Sequence, residues 1–503
     1  MPLAPAHFMF GCASDSLFIN DLAATPEQVA IIQAAQAGES FKVSAFAGAT
    51  KTTTLRGVAQ HLPFKRILYL AFNKAIAEEA RQLFPNWVEC RTAHSLAYRF
   101  MMHSEPRYQQ KLKRAGAFLP YQDLEHYSNK PEHWQPFRRS RFQVNIAISE
   151  TLNNYLNSAE WVVDKNHISE MIMQWATNAS PREEADFVTQ LLSITQCLAE
   201  NMLDPGCDCG MTHDAYLKAF QLRKPQLGYD VVLLDEAQDT NPVLQAILAQ
   251  QSCQKVLVGD RHQEIYAWRN AINTLDKVAL KDYPLTHSFR FGSHISALAN
   301  QLLDKLNETR RIVGRGLDQP INSGFDPYQP YAVMCRTNAK VFEVADFCLQ
   351  RNISYSINGG LDQITRLIES AYGLYQGDRK VPRSAELSLF NSWQEFSEVA
   401  EELNKAEWKT IVKFVETHKT QTLDKIKKLG NHARPSAQTQ VFISTVHKAK
   451  GLGFDQVVLA SDFEWPDDGH PGYRESLNVI YVAITRAKRV LMLPKGLKKV
   501  LGV

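Results

Sequence analysis

Eight short runs of apolar residues recur along the chain, separated by stretches with helical periodicity. Continuous apolar strands between helices are typical of parallel sheets covered on both faces, because each strand is then buried on two sides. Four runs precede residue 261 and four follow residue 330, so the pattern predicts two α/β domains rather than one sheet. The runs are 41–46, 66–72, 230–236, 255–260, 331–336, 440–445, 456–460 and 489–493.

Two long segments interrupt this alternation. Residues 97–222 are mostly helical in pattern and rich in Tyr, Trp and Arg, and residues 361–436 carry amphipathic helical runs. With 503 residues the chain has room for several domains. Both segments are therefore predicted to be mainly helical insertions in the two α/β domains.

Composition restricts the class of protein more than its function. The chain is 45% hydrophobic and 22% charged, as in ordinary globular proteins, and its net charge of +3 is too small to indicate a nucleic-acid partner. The eight cysteines are mostly scattered, which favours reduced thiols, and the group Cys207, Cys209 and His213 lacks a nearby fourth ligand for zinc. The N-terminus is not typical of a signal peptide and no apolar run is long enough to cross a bilayer, so we expect a cytoplasmic protein.

The stretch "AGATKTT" (47–53) lies between a predicted strand and a predicted helix, the setting of a phosphate-binding loop. In such a loop Lys51 would meet the β- and γ-phosphates and the Thr52 hydroxyl would reach Mg²⁺. Ala45 and Thr50 occupy the two glycine positions of the strict pattern. Alone, the stretch therefore predicts a nucleotide site no better than an ordinary strand–turn–helix.

The stretch "VVLLDEAQD" favours the nucleotide site, because Asp235 and Glu236 follow four apolar residues at the carboxyl end of a strand. One carboxylate there can hold Mg²⁺ while its neighbour orients and deprotonates a water molecule. The alternative is that the two acids cap the next helix. In "VGDRHQEIYAWR", Gln263 is a candidate phosphate sensor, and Tyr266 and Trp268 are candidates either for base stacking or for the core.

The order of further motifs is what identifies a family. They are "TPEQ" (25–28), "LAFNKAIAEEA" (70–80), "RTAHSLA" (91–97), "LTHSFRF" (285–291), "YAVMCRTNA" (331–339), "STVHKAKGLGFD" (444–455) and "NVIYVAITRAK" (478–488). With the preceding segments, this series resembles the UvrD/Rep family of superfamily 1 DNA helicases over residues 22–493. "MTHDAYLKAFQL" (211–222), "TAHSLA" and "YVAITRAK" are most similar to the F-box DNA helicase group, although the sequence shows no F-box ahead of the motor.

The resemblance implies two RecA-like P-loop domains, and we expect the following boundaries. They are an N-terminal arm (1–24), motor domain 1A (25–96 and 223–300), insertion 1B (97–222), motor domain 2A (301–360 and 437–503) and insertion 2B (361–436).

The resemblance also implies the residues of an ATP site that contains Mg²⁺. Gln28 would read adenine, although "TPEQ" is equally a good capping box with Thr25 as the cap. Glu236 would be the base, assisted by Lys51, Gln263 and the arginine fingers Arg290 and Arg486, with Mg²⁺ on Thr52 and Asp235. The full set of ATP-binding residues would be Gln28, Ala47, Gly48, Ala49, Thr50, Lys51, Thr52, Thr53 and Tyr481.

By the same resemblance, single-stranded DNA would cross both motor domains, and junctions of single- and double-stranded DNA would be substrates. The implied DNA-binding residues are Phe72, Asn73, Thr92, His94, Tyr266, Trp268, Arg269, Arg336, Asn338 and His447. We expect an ATP-dependent 3′–5′ DNA translocase or helicase. The alternative is a regulatory subunit that binds ATP and DNA but has a largely silent ATPase. A nuclease or a DNA repair or recombination protein is the candidate partner.

Two residues depart from the family pattern. Thr50 replaces the glycine before the phosphate lysine, and Gly453 stands where relatives usually carry a glutamate thought to contact the ribose. A β-branched residue at a position that requires positive φ costs roughly 1–3 kcal/mol. We therefore expect weakened nucleotide affinity or slower turnover, with every catalytic group retained.

Overall fold

Two parallel sheets organise the chain, as the split of the apolar runs predicts. In a computed structural model, the residues described are 17–19, 22–115, 141–174, 180–266, 273–378, 384, 387, 390, 392–402, 406–470 and 472–503. Within them the strands are β1 (Phe18–Ile19), β2 (Leu22–Ala23), β3 (Phe41–Ala45), β4 (Ile67–Ala71), β5 (Val88–Thr92), β6 (Val231–Leu234), β7 (Gln254–Gly259), β8 (Lys281–Leu285), β9 (His287–Ser288), β10 (Val313–Gly314), β11 (Tyr331–Cys335), β12 (Tyr355–Ile357), β13 (Val441–Thr445), β14 (Phe454–Leu459) and β15 (Ala487–Met492).

The helices fill the connections between these strands. They are α1 (Pro26–Gln36), α2 (Lys51–Gln60), α3 (Lys74–Leu83), α4 (Ala93–Ser104), α5 (Arg107–Ala115), α6 (Arg141–Leu156), α7 (Glu170–Gln174), α8 (Pro181–Leu203), α9 (His213–Leu222), α10 (Pro242–Ala249), α11 (Thr274–Lys277), α12 (Ser293–Lys305), α13 (Asn338–Gln350), α14 (Asp362–Tyr375), α15 (Trp393–Glu402), α16 (Ala406–His418), α17 (Thr422–His432), α18 (Val446–Ala449), α19 (Tyr473–Ile484) and α20 (Lys495–Leu501). Short 3-10 turns include Ala237–Asp239 and Arg261–Gln263.

The first sheet has the order β5-β4-β6-β7-β3-β8 and the second β12-β13-β11-β14-β15, with every neighbouring pair parallel. All eight predicted apolar runs are strands of these sheets. Successive residues of a strand point to opposite faces, and both faces are buried: Tyr69 packs into one core cluster and Leu68 and Leu70 into another. The prediction of doubly covered parallel sheets is confirmed.

The described parts of both insertions are helical. Helices α4 to α9 cover much of 97–222 and share one apolar core that includes Met101, Ile148 and Phe220. Helices α14 to α17 lie within 361–436 and pack with β11 and α13 on one face of the second sheet.

Helix α12 belongs by packing to the second motor domain. Its apolar residues Ile295, Leu298 and Leu302 lie in one core cluster with Met334 of β11 and Leu491 of β15. The boundary expected between residues 300 and 301 falls inside this helix. A boundary just before α12 keeps the helix with the core that it stabilises.

Candidate nucleotide and nucleic-acid site

The loop between β3 and α2 is shaped by two residues with positive φ. Gly48 has a φ of 75°, and a Cβ atom there would lie 2.7 Å from the Cβ of Arg290, so a side chain has no room. Thr50 has a φ of 55° and a ψ of 42°, in the left-handed region that β-branched residues avoid. The strain anticipated for threonine at this position is therefore present in the loop.

Charged groups from α2 and the end of β6 face each other at this edge of the sheet. The Nζ of Lys51 lies 2.8 Å from Oε2 of Glu236, and the hydroxyl of Thr52 donates to Oδ2 of Asp235 over 2.9 Å. The Tyr69 hydroxyl donates to the same oxygen over 2.7 Å. Glu236 has a φ of 52° and its side chain makes no capping hydrogen bond, so the helix-cap alternative is wrong for this residue.

Burial and charge separate the pKa values of these groups. Burial alone would raise the pKa of Glu236, but Lys51 and Lys450 outweigh burial and lower it to about 2. Burial and the charge of Glu236 together raise the pKa of Asp235. Burial opposes the charged form of Lys51, yet the carboxylates around it, Glu236 foremost, raise its pKa. At neutral pH Lys51 and Glu236 therefore form a buried ion pair.

The side chains present fit a magnesium nucleotide. Thr52 and Asp235 bring a hydroxyl and a carboxylate oxygen within 2.9 Å of each other, and oxygen ligands of this kind are those that Mg²⁺ prefers. Lys51 lies at the N-terminus of α2, where backbone N–H groups and the helix dipole favour an anion. Bound there, Mg²⁺ would neutralise charge on the phosphates.

Side chains of the second motor domain reach the same cleft. The Nη2 of Arg486, a fully buried residue at the end of α19, lies 3.4 Å from Oε1 of Gln263. The Gln263 amide in turn donates to Asp260 over 2.7 Å. Burial, and then the charge of Arg290, lowers the pKa of Arg486, but a guanidinium remains charged at neutral pH. Lys51, Asp235 and Arg486 thus converge on one cleft between the two sheets.

Tyr481 connects the second domain directly to the phosphate loop. Its buried hydroxyl accepts from the backbone N–H of Ala47 at 3.1 Å and donates to Oδ2 of Asp260 at 3.2 Å. The side chain therefore lies behind the loop and supports it. Of the other predicted ATP-binding residues, Ala47 and Ala49 are buried in the loop and Thr53 is exposed on α2.

Arg290 and Gly453 are neighbours. The Nη1 of Arg290 donates to the carbonyl of Thr485 over 3.0 Å, so this arginine also bridges the two motor domains. A Cβ at Gly453 would lie 3.3 Å from Nε of Arg290 and 3.4 Å from Cε of Lys488. The position where the family resemblance implies a glutamate is thus bordered here by two cations.

Gln28 has a fixed set of partners. Its Oε1 accepts from the N–H of Thr25 over 3.0 Å, while Thr25 accepts from the N–H of Gln28, so the predicted capping box is confirmed. The Nε2 of Gln28 donates to the hydroxyls of Thr50 and Thr54 over 3.2 and 3.1 Å.

An aromatic group spans the two motor domains at the same end of the sheets. Phe72 stacks on Tyr266 with ring centroids 5.4 Å apart, and Tyr266 lies 5.9 Å from the ring of His447 and donates to its carbonyl over 2.8 Å. Phe72 is 38% exposed and Tyr266 is half-buried against the core. The core alternative therefore holds for the inner face of Tyr266, and base stacking by its outer face stays a prediction. Trp268 and Arg269 lie outside the described residues.

Two family models match this chain. The model described as the UvrD/REP helicase N-terminal domain matches residues 24–284, more than half of the chain, and the UvrD-like helicase C-terminal domain matches residues 361–496. The chain belongs to the UvrD/Rep helicase family. The segments matched by the models contain β3 to β7, all but the last residue of β8, and β13 to β15, which agrees with the RecA-like motor domains that the resemblance implies.

F-box DNA helicases are among the curated relatives of this UvrD/Rep chain. F-box DNA helicase 1 of Gallus gallus is 30% identical over 98% of this chain and 51% of its own length. F-box DNA helicase protein 1 of Schizosaccharomyces pombe is 31% identical over 94% of this chain and 58% of its own length. DNA helicase II of Escherichia coli is 28% identical over 26% of this chain and 23% of its own length. The chain spans about half the length of the two F-box relatives.

Other predicted DNA-binding residues of this UvrD/Rep chain have structural partners. Asn73 and Thr92 cap α3 and α4 by accepting from Ile76 and Ser95. His94 lies 3.2 Å from Asp214, Arg336 donates to Ser476 over 3.0 Å, and Asn338 is the first residue of α13. These five residues do not meet in one group: Arg336 and Asn338 belong to the second domain, whereas the others border α3 and α4.

Sequence reasoning missed a basic pocket of about 600 Å³ at the junction of motor domain 1A and the first insertion. It is lined by side chains of α3, β5, α4 and α9, among them Lys74, Arg81, Arg91, His94 and Arg99. Glu89 pairs with Arg91 and, at 3.2 Å, with Arg99, which neutralises part of the charge. The basic residues are spread over three elements, so only their spacing on α4 could have hinted at the pocket.

Across the described ranges of this UvrD/Rep chain, the helices are all too short or too polar to traverse a lipid bilayer.

Proposed function

We propose that this chain is an ATP-dependent translocase or helicase that acts on single-stranded DNA. The observation that carries the proposal is the convergence of Lys51, Asp235 and Glu236 from the first sheet with Arg486 from the second domain. A nucleotide held between two domains can draw them together, and its hydrolysis can release them.

The ion pair of Lys51 and Glu236 gives the two side chains complementary roles. When a triphosphate binds, Lys51 would exchange Glu236 for phosphate oxygens, and the released carboxylate would be left without its strongest cationic neighbour. Loss of that neighbour removes the largest of the charges that lower the pKa of Glu236, which leaves the carboxylate free to orient water and accept its proton. Asp235 and Thr52 would hold Mg²⁺.

Charge that develops on the transferred phosphate requires cations from both domains. Arg486 is already beside Gln263, and Arg290 contacts Thr485, so neither guanidinium needs a long movement to reach the cleft. Preorganised charge of this kind is the main means by which proteins accelerate phosphoryl transfer. We assign Arg290 and Arg486 as the arginine fingers and Gln263 as the sensor.

Single-stranded DNA would lie on the surface formed by Phe72, Tyr266 and His447. Lys450 links this surface to the nucleotide cleft: its ammonium pairs with buried Asp239, donates to the carbonyl of Gln263 and lies 5.3 Å from the centre of the Tyr266 ring. A shift of Gln263 on nucleotide binding is thereby transmitted to the stacking surface. The names of the relatives, all DNA helicases, support DNA as the polymer.

The test is phosphate release with and without single-stranded DNA. DNA should stimulate the wild-type rate at least about tenfold, and Arg486→Ala should lower the stimulated rate by about 10²- to 10⁴-fold. A duplex with a 3′ tail should be unwound and one with a 5′ tail should not, because the resemblance implies 3′–5′ movement. Phosphate release that stays near background both with and without DNA would favour the regulatory subunit with a silent ATPase.

A further inference from the structure

The side chains of His262 and Glu308 meet in a buried contact between the two motor domains. Nε2 of His262 lies 3.1 Å from Oε2 of Glu308, and the two side chains are 2% and 6% exposed. His262 belongs to the 3-10 turn Arg261–Gln263 after β7, which we call the sensor turn. Glu308 follows α12, whose apolar residues lie in the core of the second domain. The contact therefore joins the sensor turn of the first domain to the second domain.

Glu308 can only accept hydrogen bonds in this contact. Burial alone would raise its pKa, but hydrogen bonds from His262 and Arg310 outweigh burial and lower it, so the side chain is a carboxylate at neutral pH. A carboxylate has no donor, and Nε2 of His262 therefore carries the proton of this hydrogen bond. Within the described residues, the buried Nδ1 of His262 has no hydrogen-bond partner. Glu308 is thus the polar group that orients the imidazole.

The other oxygen of Glu308 is held as well. Oε1 accepts from the backbone N–H and from Nε of Arg310, over 3.0 and 3.2 Å. Nη1 of Arg310 in turn donates to Oδ2 of Asp282 on β8 over 3.2 Å. The backbone N–H of Glu308 donates to the carbonyl of Leu303 in α12 over 2.9 Å. The carboxylate is therefore fixed in place by α12 of the second domain and by the edge strand β8 of the first.

The position of His262 determines the position of Gln263, the next residue of the sensor turn. The ring of His262 packs 6.3 Å from the ring of Phe46 and 6.1 Å from that of Tyr481, centre to centre. The backbone N–H of His262 and the side-chain amide of Gln263 both donate to Asp260, over 3.0 and 2.7 Å. Because the two residues are adjacent in a three-residue turn and share this partner, a shift of His262 moves Gln263.

We propose that Glu308 is a positioning residue: it holds His262 and thereby keeps Gln263 where the γ-phosphate of a bound nucleotide would lie. The proposal rests on the role of Gln263 as the phosphate sensor in the proposed function. A diphosphate has no γ-phosphate, so its binding does not use the sensor. Glu308 therefore contributes to the affinity for a triphosphate and not to the affinity for a diphosphate.

The experiment measures how the triphosphate analogue AMP-PNP and ADP compete with a fluorescent ADP derivative for the full chain. His262→Phe keeps an aromatic ring in the same packing but deletes the hydrogen bond, and Glu308→Ala deletes it from the other side. Both variants should bind AMP-PNP about 5- to 20-fold more weakly and ADP within about twofold of the wild type. Asp304→Ala removes an exposed carboxylate of α12 that pairs with Arg311, and this matched control should change neither affinity.

Gln263→Ala tests whether His262 acts through the sensor. Alone, Gln263→Ala should weaken AMP-PNP by a similar factor. Adding His262→Phe should then weaken it by no more than about a further twofold, because the contact that His262 positions is already absent. Equal losses of AMP-PNP and ADP affinity in His262→Phe and Glu308→Ala would overturn the proposal, since the pair would then only support the fold. Wild-type affinities for both nucleotides in the two variants would overturn it too.

The competition requires no hydrolysis, so failure of this proposal and failure of the proposed function are distinguishable. A chain that binds both nucleotides but releases no phosphate lacks the proposed ATPase, and its affinities for AMP-PNP and ADP still confirm or contradict the role of Glu308. DNA-stimulated phosphate release by a wild type whose affinities Glu308→Ala reproduces leaves the proposed function intact and refutes that role.

Discussion

Removing the hydroxyl of Tyr481 tests the contact between the phosphate loop and the second domain. Tyr481→Phe deletes the partner of the Ala47 N–H at 3.1 Å and one of the donors to Asp260 at 3.2 Å. A buried N–H left without a partner costs about 1–3 kcal/mol. Asp260 keeps two donors, the backbone N–H of His262 and the side-chain amide of Gln263, so losing the Tyr481 hydroxyl destabilises Asp260 less than it destabilises the Ala47 N–H. We therefore expect Tyr481→Phe to lower the free energy of unfolding by about 2 kcal/mol in total.

For domains of this size, about 2 kcal/mol lowers Tm by roughly 4–8 °C, which differential scanning calorimetry resolves. Tyr283→Phe is the control, because that hydroxyl meets the exposed Glu39 at 3.2 Å and its removal should cost no more than about 0.5 kcal/mol. Equal shifts of Tm for Tyr481→Phe and Tyr283→Phe would refute the reasoning that the buried hydroxyl ties the loop to the second domain.

Three further predictions follow from the site. Phe72→Ala should weaken single-stranded DNA binding about 5- to 100-fold in fluorescence anisotropy while nucleotide affinity is kept, and unchanged DNA affinity would show that the ring is not a stacking surface. Gly48→Ala should abolish DNA-stimulated hydrolysis, because the new Cβ would displace Arg290. Gly496→Ala is the control and should hydrolyse at the wild-type rate, because the space around its Cβ is open. Wild-type hydrolysis by Gly48→Ala would contradict the geometry of the loop. Burial raises the pKa of Asp239 to about 6. Between about pH 4 and about pH 6 the folded protein therefore keeps a proton on this carboxyl that the unfolded chain has released. The contribution of Asp239 to the free energy of unfolding is lost as the pH rises through this range. In Asp239→Asn, the fall of Tm between about pH 4 and about pH 6 should be smaller than in the wild type. The same fall of Tm in both proteins would contradict this prediction.

Sequence patterns were sufficient for the central strands and insufficient for the edges of the first sheet. The eight apolar runs are strands because both of their faces are buried. Strand β5 carries Glu89 and Arg91, and β8 begins with exposed Lys281 and contains Pro284, as edge strands can. Polar residues and proline remove the apolar pattern, so neither edge strand could be predicted from hydrophobicity.

The candidate site shows the same division. Lys51, Asp235 and Glu236 were predictable because each follows a strand, and strand ends of a parallel sheet meet at one edge. The contact of Tyr481 with Ala47 joins residues 434 positions apart. The hydrogen bond from the Gln28 amide to the Thr50 hydroxyl depends on the orientation of the glutamine side chain. Neither contact leaves a periodic or compositional signal, so neither could be predicted from the sequence.

Hydrolysis in the cleft should be driven by the carboxylate of Glu236 and stimulated by DNA. The most direct measurement is phosphate release by Glu236→Gln with and without single-stranded DNA, beside Glu416→Gln on an exposed face of α16. Glu236→Gln should lose about 10²- to 10⁴-fold of the stimulated rate while single-stranded DNA binding is kept, and Glu416→Gln should match the wild type. Stimulated hydrolysis that survives in Glu236→Gln would contradict the account.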